Sequence, residues 1–259
     1  MSADLLVLAR TAALAAGRVL LARRDSVLEV TTKSSATDPV TSADTAAQRA
    51  IVAVLGDARP QDGLIGEEAL RRSGTSGVSW IIDPLDGTVN YLYGRDEWAV
   101  SVAARDGSGA VAGVVHAPAL NRTYTAVRGQ GAWLDERRLA VRGPADLSSA
   151  LVGTGFSYTA EGRLGQASVL GRLLPRIADI RRGGSAALDL AAVASGTLDA
   201  FYEDDLEEWD WAAGALLASE AGAVVGALPG PGSRSGIYAT DPALRDDLLD
   251  LLRPDSADH

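Results

Sequence analysis

The apolar positions divide the chain into a first half that mixes helices with many strands and a second half that alternates the two. Residues 5–23 carry apolar side chains three and four apart, broken by Arg10 and Arg18, which predicts an amphipathic helix. Residues 27–32 alternate and are β-prone, and 33–39 form a polar, turn-rich loop. Thr41 or Ser42 caps a predicted helix over 43–55, with Asp44 in its first turn. A short strand over 63–66 ends at Glu67-Glu68, and the apolar run 78–82 predicts a buried central strand. From 98 to 141 strand follows strand, at 100–104, 110–116, 123–127 and 132–141. Breaks at Asp106-Gly107, Gly129 and Asp135 give this stretch the pattern of an antiparallel meander.

After Gly143-Pro144 the pattern changes. Strands are predicted at 150–154, 177–180, 198–202, 224–225 and 237–238, the last two around a loop at 229–235. Helices are predicted at 163–174, from Gly184-Ser185 to 195, at 209–221 and, capped by Asp241, up to 252. The expected fold class is α+β. A boundary near 143–147 separates an N-terminal half, 1–145, built around an antiparallel sheet, from an α/β half, 146–259.

A chain of 259 residues with 47% apolar and 22% charged positions can bury a sizeable core. It has no cysteine, which excludes a disulfide framework, a thiolate metal site and a thiol nucleophile. The N-terminus lacks the basic start of a secretory signal, and no run is expected to approach the ~20 apolar residues that span a bilayer. A cytoplasmic protein with no membrane partner is expected. The formal net charge of −10 argues against direct nucleic-acid binding, which needs a basic face. The same charge repels anionic substrates unless bound cations reverse its sign locally.

The candidate chemistry lies at the end of the central strand, in Asp83-Pro84-Leu85-Asp86-Gly87-Thr88-Val89-Asn90. Two carboxylates stand three residues apart, and Pro84 biases its neighbour away from helix. Carboxylates hold hard divalent cations, and free N–H groups at a helix start hold phosphate, so the combination points to metal-assisted chemistry on a phosphate ester. Acidic groups also stand at other predicted element ends: Asp44, Glu67-Glu68 and Asp210. Each alone reads first as a helix cap or a solvated face and only second as a functional group. Asp210, between Trp209 and Trp211, is either the cap of a helix packed through its alanine face or a carboxylate delivered to the site from the second half. Lys33 is the sole lysine among 24 lysine and arginine residues. A compact ammonium suits a place beside a metal-bound water that a guanidinium would not fill.

Gly66-Glu67-Glu68, Trp80-Ile81-Ile82-Asp83-Pro84-Leu85-Asp86-Gly87-Thr88-Val89-Asn90-Tyr91 and Trp209-Asp210-Trp211-Ala212-Ala213-Gly214, with Glu220-Ala221-Gly222 beyond, closely resemble the two signatures of the inositol monophosphatase family. Asp38-Pro39-Val40-Thr41-Ser42-Ala43-Asp44 resembles a third block. Order and spacing agree over nearly the whole chain. Thr154-Gly155-Phe156-Ser157-Tyr158, the stretch from Arg181-Arg182-Gly183-Gly184-Ser185 to Asp189, and Asp199-Ala200-Phe201-Tyr202-Glu203 are most similar to the bacterial inositol-1-monophosphatases.

The resemblance implies a layered αβαβα sandwich, a homodimer, Mg²⁺ dependence and inhibition by Li⁺. It implies a first metal held by Glu67, Asp83 and the Leu85 carbonyl, and a second held by Asp83, Asp86 and Asp210. Catalytic roles fall to Lys33, Asp44, Glu67 and Thr88, with Thr88 and Asp44 orienting the attacking water. Glu68 is expected behind the ligands. Substrate contacts fall to the Gly87 and Thr88 backbone for phosphate. Gly184, Ser185, Ala186 and Glu203 face the alcohol, Asp210 lies nearby, and Ser157 is a weaker candidate.

The expected substrate is a small phosphate monoester, inositol 1-phosphate first. Histidinol phosphate, fructose 1,6-bisphosphate or a nucleotide 3′-phosphate are the alternatives among enzymes. A binding partner of the transcription machinery is the alternative outside them. One departure stands out. Family members often carry a neutral residue or a histidine where this chain has Glu207, within Asp204-Asp205-Leu206-Glu207-Glu208. The run is either a solvated acidic loop or a negative rim that disfavours polyanions and tolerates an amine.

Overall fold

The computed structural model describes residues 2–24, 30–32, 39–67, 69–143, 146–228 and 236–253. Lys33, Asp38, Glu68, residues 27–29 of the expected first strand, the loop 229–235 and positions 144–145 of the expected boundary lie outside the described residues. Seven α-helices are described: α1 Ser2–Arg23, α2 Ser42–Ala58, α3 Thr88–Leu92, α4 Ala160–Leu173, α5 Ala186–Ala194, α6 Glu208–Glu220 and α7 Arg245–Leu252. Strands β1 Val30–Thr32 and β2 Pro39–Thr41 form an antiparallel ribbon.

A large sheet contains β3 Gly63–Gly66, β4 Arg71–Arg72, β5 Ser79–Asp86, β6 Ala99–Asp106, β7 Gly109–Ala117, β8 Arg122–Val127, β9 Gly131–Leu134 and β10 Arg137–Arg138. Its order is β10-β9-β8-β7-β6-β5-β3-β4, and only β3 and β5 run parallel. The expected last meander strand is instead two short strands, because Asp135 turns the chain with φ 50°. A smaller sheet has β11 Leu151–Thr154, β12 Asp179–Arg181, β13 Ala200–Glu203, β14 Val224–Ala227 and β15 Ile237–Thr240, in the order β12-β11-β13-β15-β14.

The layers follow from which faces are apolar. Leu5, Ala9, Ala12, Ala13, Ala16 and Leu20 recur at helical spacing on α1, and Ala43, Ala47, Ile51 and Leu55 on α2. Both stripes pack on one face of the large sheet, around Trp80, Ile82, Val100, Val102 and Val114. By length and composition α1 could cross a membrane, contrary to the expectation that no run comes close, but in this fold its apolar stripe is buried in the core.

α5 and α6 lie between the two sheets and are apolar on two faces. Ala187, Ala191, Ala194, Ala213 and Leu217 face the large sheet, while Leu190, Val193 and Ala218 pack toward the small one. A helix pressed from both sides needs small residues. One close approach is at Gly113 of β7, where an added Cβ would meet the Ala213 Cα at 3.1 Å. α4, through Leu173, and α7, through Leu248 and Leu252, cover the outer face of the small sheet, with Leu244 of the turn before α7 packed beside them. The result is the layered αβαβα sandwich.

Candidate active site

β3 and β5 are parallel, with Gly66 opposite Ile82, so the next residues, Glu67 and Asp83, emerge side by side. β5 does not stop at Ile82, where the apolar run ends. It continues to Asp86 through a bulge, pairing Asp83 with Ser101 and Asp86 with Ala99. Pro84 has no N–H for the ladder, and a bulge is where a strand tolerates that loss. Asp83 accepts the Leu85 N–H at Oδ1 (2.9 Å) and is 2% exposed. Gly87 takes φ +91°, and a Cβ there would press on Glu97 O at 3.0 Å, so the turn into α3 requires glycine. Thr88 follows, its hydroxyl within reach of two acceptors: Leu85 O at 3.0 Å and Asp44 Oδ1 at 3.2 Å. Asp44 itself is fully buried in the first turn of α2.

The second half closes over this strand end. Ser185 caps α5 and donates to Asp86 Oδ2 (2.5 Å), which also accepts the Ala187 N–H (2.8 Å). A carboxylate from β5 thus completes the first turn of a helix that lies about a hundred residues further along the chain. Asp210 is the third residue of α6, not its cap. Its Oδ2 accepts the Glu207 N–H (2.7 Å), half of a reciprocal capping box. The same residue lines the cleft.

A cleft of about 420 Å³ gathers Glu67, Asp83, Leu85, Asp86, Gly87, Thr88, Gly184, Ala186, Glu203 and Asp210 on its walls. Asp44 and Ser185 stand behind the wall, bonded to Thr88 and Asp86. Lys33 is outside the described residues. Among the described residues no group of three or more acidic or histidine side chains forms a closed cation cage. Asp83, Asp86 and Asp210 each give an oxygen to a neighbouring N–H instead.

Their charges nevertheless oppose one another. Burial, then Glu67, Asp86 and Asp210, hold the Asp83 carboxyl well above the usual range. Burial, then Glu67 and Asp86, do the same to Asp210. Burial raises Asp86 from 3.8 to about 6, against the bonds from Ser185, Ala187 and Ala186 and the nearby Arg182 charge. Glu203 is raised by burial and by Asp86 and Asp189.

The acidic run is bonded to the fold at several points. Asp204 accepts from Gln166, Asp205 accepts the Ser157 hydroxyl (2.8 Å), and Glu208 takes both oxygens to Arg105 (2.6 Å). Asp204, Asp205 and Glu207 form one wall of the cleft, with Ser157 beside them. Two groups escaped the sequence reading. Arg182 lines the cleft, and Asp189 is buried behind it with its carboxyl raised to about 7 by burial and Asp86. A lone acid in the apolar helix Ala186–Ala194, after an arginine pair, was the available signal.

The chain matches the model of the inositol monophosphatase family over residues 1–253. It is 44% identical to an inositol-1-monophosphatase of Mycobacterium leprae over 86% of this chain and 81% of that one. It is 38% identical to a Nus factor SuhB of Salmonella typhimurium, over 96% and 98% of the two chains. The crystal structure of extragenic suppressor protein suhB from Bartonella henselae superposes with a TM-score of 0.90 at 35% identity, covering 96% of this chain and 98% of that one.

Proposed function

The chain belongs to the inositol monophosphatase family, and on that premise we propose that it hydrolyses the phosphate monoester of a cyclic polyol, inositol 1-phosphate first, with Mg²⁺ as its cofactor. One observation carries the reading. Glu67, the pair Asp83 and Asp86, and Asp210 come from three separate parts of the chain and line one cleft, where Glu67 and Asp86 raise the carboxyls of Asp83 and Asp210. Buried like charges persist where a cation offsets them, and an all-oxygen donor set suits a hard divalent ion.

Glu67, Asp83, the Leu85 carbonyl, Asp86 and Asp210 would hold the metal. When bound, it supplies Lewis acidity toward the phosphoryl oxygens and acidifies the attacking water. The Thr88 hydroxyl, between Leu85 O and Asp44 Oδ1, orients that water, and Asp44 receives the proton passed through Thr88. Backbone N–H groups of Gly87 and Thr88 face the phosphate. Ser185 has its hydroxyl committed to Asp86, so it meets the alcohol through its backbone, as Gly184 and Ala186 do, and Glu203 accepts from a hydroxyl of the alcohol. Residues 1–145 supply most of the metal and phosphate groups, and 146–259 supply the alcohol side. Lys33 is assigned a place near the water by the family likeness alone.

Phosphate release from inositol 1-phosphate, with and without Mg²⁺, tests the reading. Histidinol phosphate, fructose 1,6-bisphosphate and a nucleotide 3′-phosphate serve as competitors. Release from none of these esters would overturn it. That result would favour the binding role supported by the likeness to a Nus factor.

A further inference from the structure

β11 and β13 run parallel with Thr154 opposite Tyr202, so Gly155 and Glu203 come next to each other at the cleft wall. A Cβ added to Gly155 would lie well inside contact distance of the Glu203 carboxylate. The carboxylate therefore occupies space that any other residue type at 155 would fill. From this we infer that Gly155 is a positioning residue. Its missing side chain lets Glu203 lie in the cleft, and recognition of the alcohol depends on it. The inference rests on the proposed contact between Glu203 and a hydroxyl of the substrate.

What yields to a methyl group at 155 follows from how the two sides are held. The loop after β11 is pinned by three bonds at Ser157. Its N–H donates to Gln166 Oε1 (2.9 Å), its carbonyl accepts from Arg163 Nε (2.7 Å), and its hydroxyl donates to Asp205 (2.8 Å). On the other side the parallel ladder fixes Thr154. The Glu203 carboxylate, by contrast, is the far end of a flexible side chain. It gives way, so the substitution acts on recognition and leaves folding largely intact.

The test uses the Mg²⁺-loaded enzyme and the variants Gly155→Ala, Glu203→Ala and the double substitution. Substrates are inositol 1-phosphate and 4-nitrophenyl phosphate, which offers no alcohol hydroxyls. Gly155→Ala is expected to lower kcat/KM for inositol 1-phosphate about 10- to 100-fold, chiefly through KM, the size of one lost charged hydrogen bond. Activity on the aryl ester and the melting temperature should stay near wild type. In the Glu203→Ala background the glycine substitution should add no loss. Additive losses, equal losses on both esters, or a crystal structure of Gly155→Ala with the carboxylate unmoved would each overturn the inference. If Gly155→Ala does not fold, the double variant decides: it folds if Glu203 is the obstacle, and its failure refutes the steric argument. A wild-type enzyme inactive on both esters refutes the proposed function itself, and the crystal structure then still decides whether Gly155 places the carboxylate.

Discussion

Asp86→Asn should stabilise the metal-free protein while destroying its activity. Burial raises the Asp86 carboxyl from 3.8 to about 6 in the folded chain. In the unfolded chain it ionises near the ordinary value. Below about pH 4 the carboxyl is protonated in both states, and no stability is lost to it. As pH rises toward 6 the unfolded chain releases the proton while the folded chain keeps it, so stability falls, and above the folded value the loss is complete. A difference of about two pH units corresponds to about 3 kcal/mol. Asp86 is only part-buried, so solvent screening reduces the usable figure to about 1–3 kcal/mol. Asparagine keeps an oxygen to accept from Ser185 and Ala187 and sheds the charge. Removing that charge also relieves Asp83, Asp210 and Glu203, each of which Asp86 pushes upward.

Thermal melts of wild type and variant after chelation, from about pH 4.5 to about pH 8, read this directly. A chain of this size shifts about 2–4 °C per kcal/mol, so the variant should gain about 2–12 °C at the alkaline end, with the gain shrinking toward acid. Saturating Mg²⁺ should reverse the order, because the cation stabilises only a native state that binds it. A difference between variant and wild type that stays flat across pH would refute the electrostatic account. So would a metal-free variant less stable than wild type at about pH 8.

Asp83→Asn should lower phosphate release by orders of magnitude with the fold intact by circular dichroism; near-normal turnover would remove Asp83 from the metal set. Thr88→Ala should reduce kcat about 10²- to 10³-fold with KM little changed, and an equal fall in binding would show that Thr88 shapes the cleft without orienting water. Glu207→Gln should shift relative kcat/KM between inositol 1-phosphate and histidinol phosphate, and an unchanged ratio rejects the acidic wall as a selector. Away from the cleft, Asp62 is 1% exposed and bonded to Arg59, Ser76 and Trp80. Burial pushes its carboxyl up, but those bonds together hold it below 3.8. Its contribution is therefore present above the ordinary value and lost as pH falls through the folded one. Asp62→Asn should cost about 2–3 kcal/mol near neutrality, read by urea unfolding, with the difference closing in acid.

What the sequence disclosed was whatever one element states about itself. Alternation from 98 to 141 specified the meander, whereas the place of α5 and α6 between two sheets, which their small residues permit, became visible only in the fold. Asp83-Pro84-Leu85-Asp86-Gly87-Thr88 located the cleft because its turn chemistry is local. The apolar run misled on one point: it stops at Ile82, whereas pairing with β6 carries β5 on to Asp86 through a bulge. Pairing is a property of two segments, and no window on one of them contains it.

The same limit explains the acidic run Asp204 to Glu208. Read alone, five residues with four like charges describe a solvated loop. Gln166 and Ser157, the partners that hold Asp204 and Asp205, are 38 and 48 positions away, and Arg105, which holds Glu208, is 103 away. Those distances in sequence are bridged only when β11 and β13 lie side by side and α6 packs on the large sheet. Asp86 makes the converse case. Its charge is visible in the sequence, but its capping of α5 requires the second half of the chain to have folded against the first. A change that loosens α5 should therefore be felt at Asp86 before it is felt in the core.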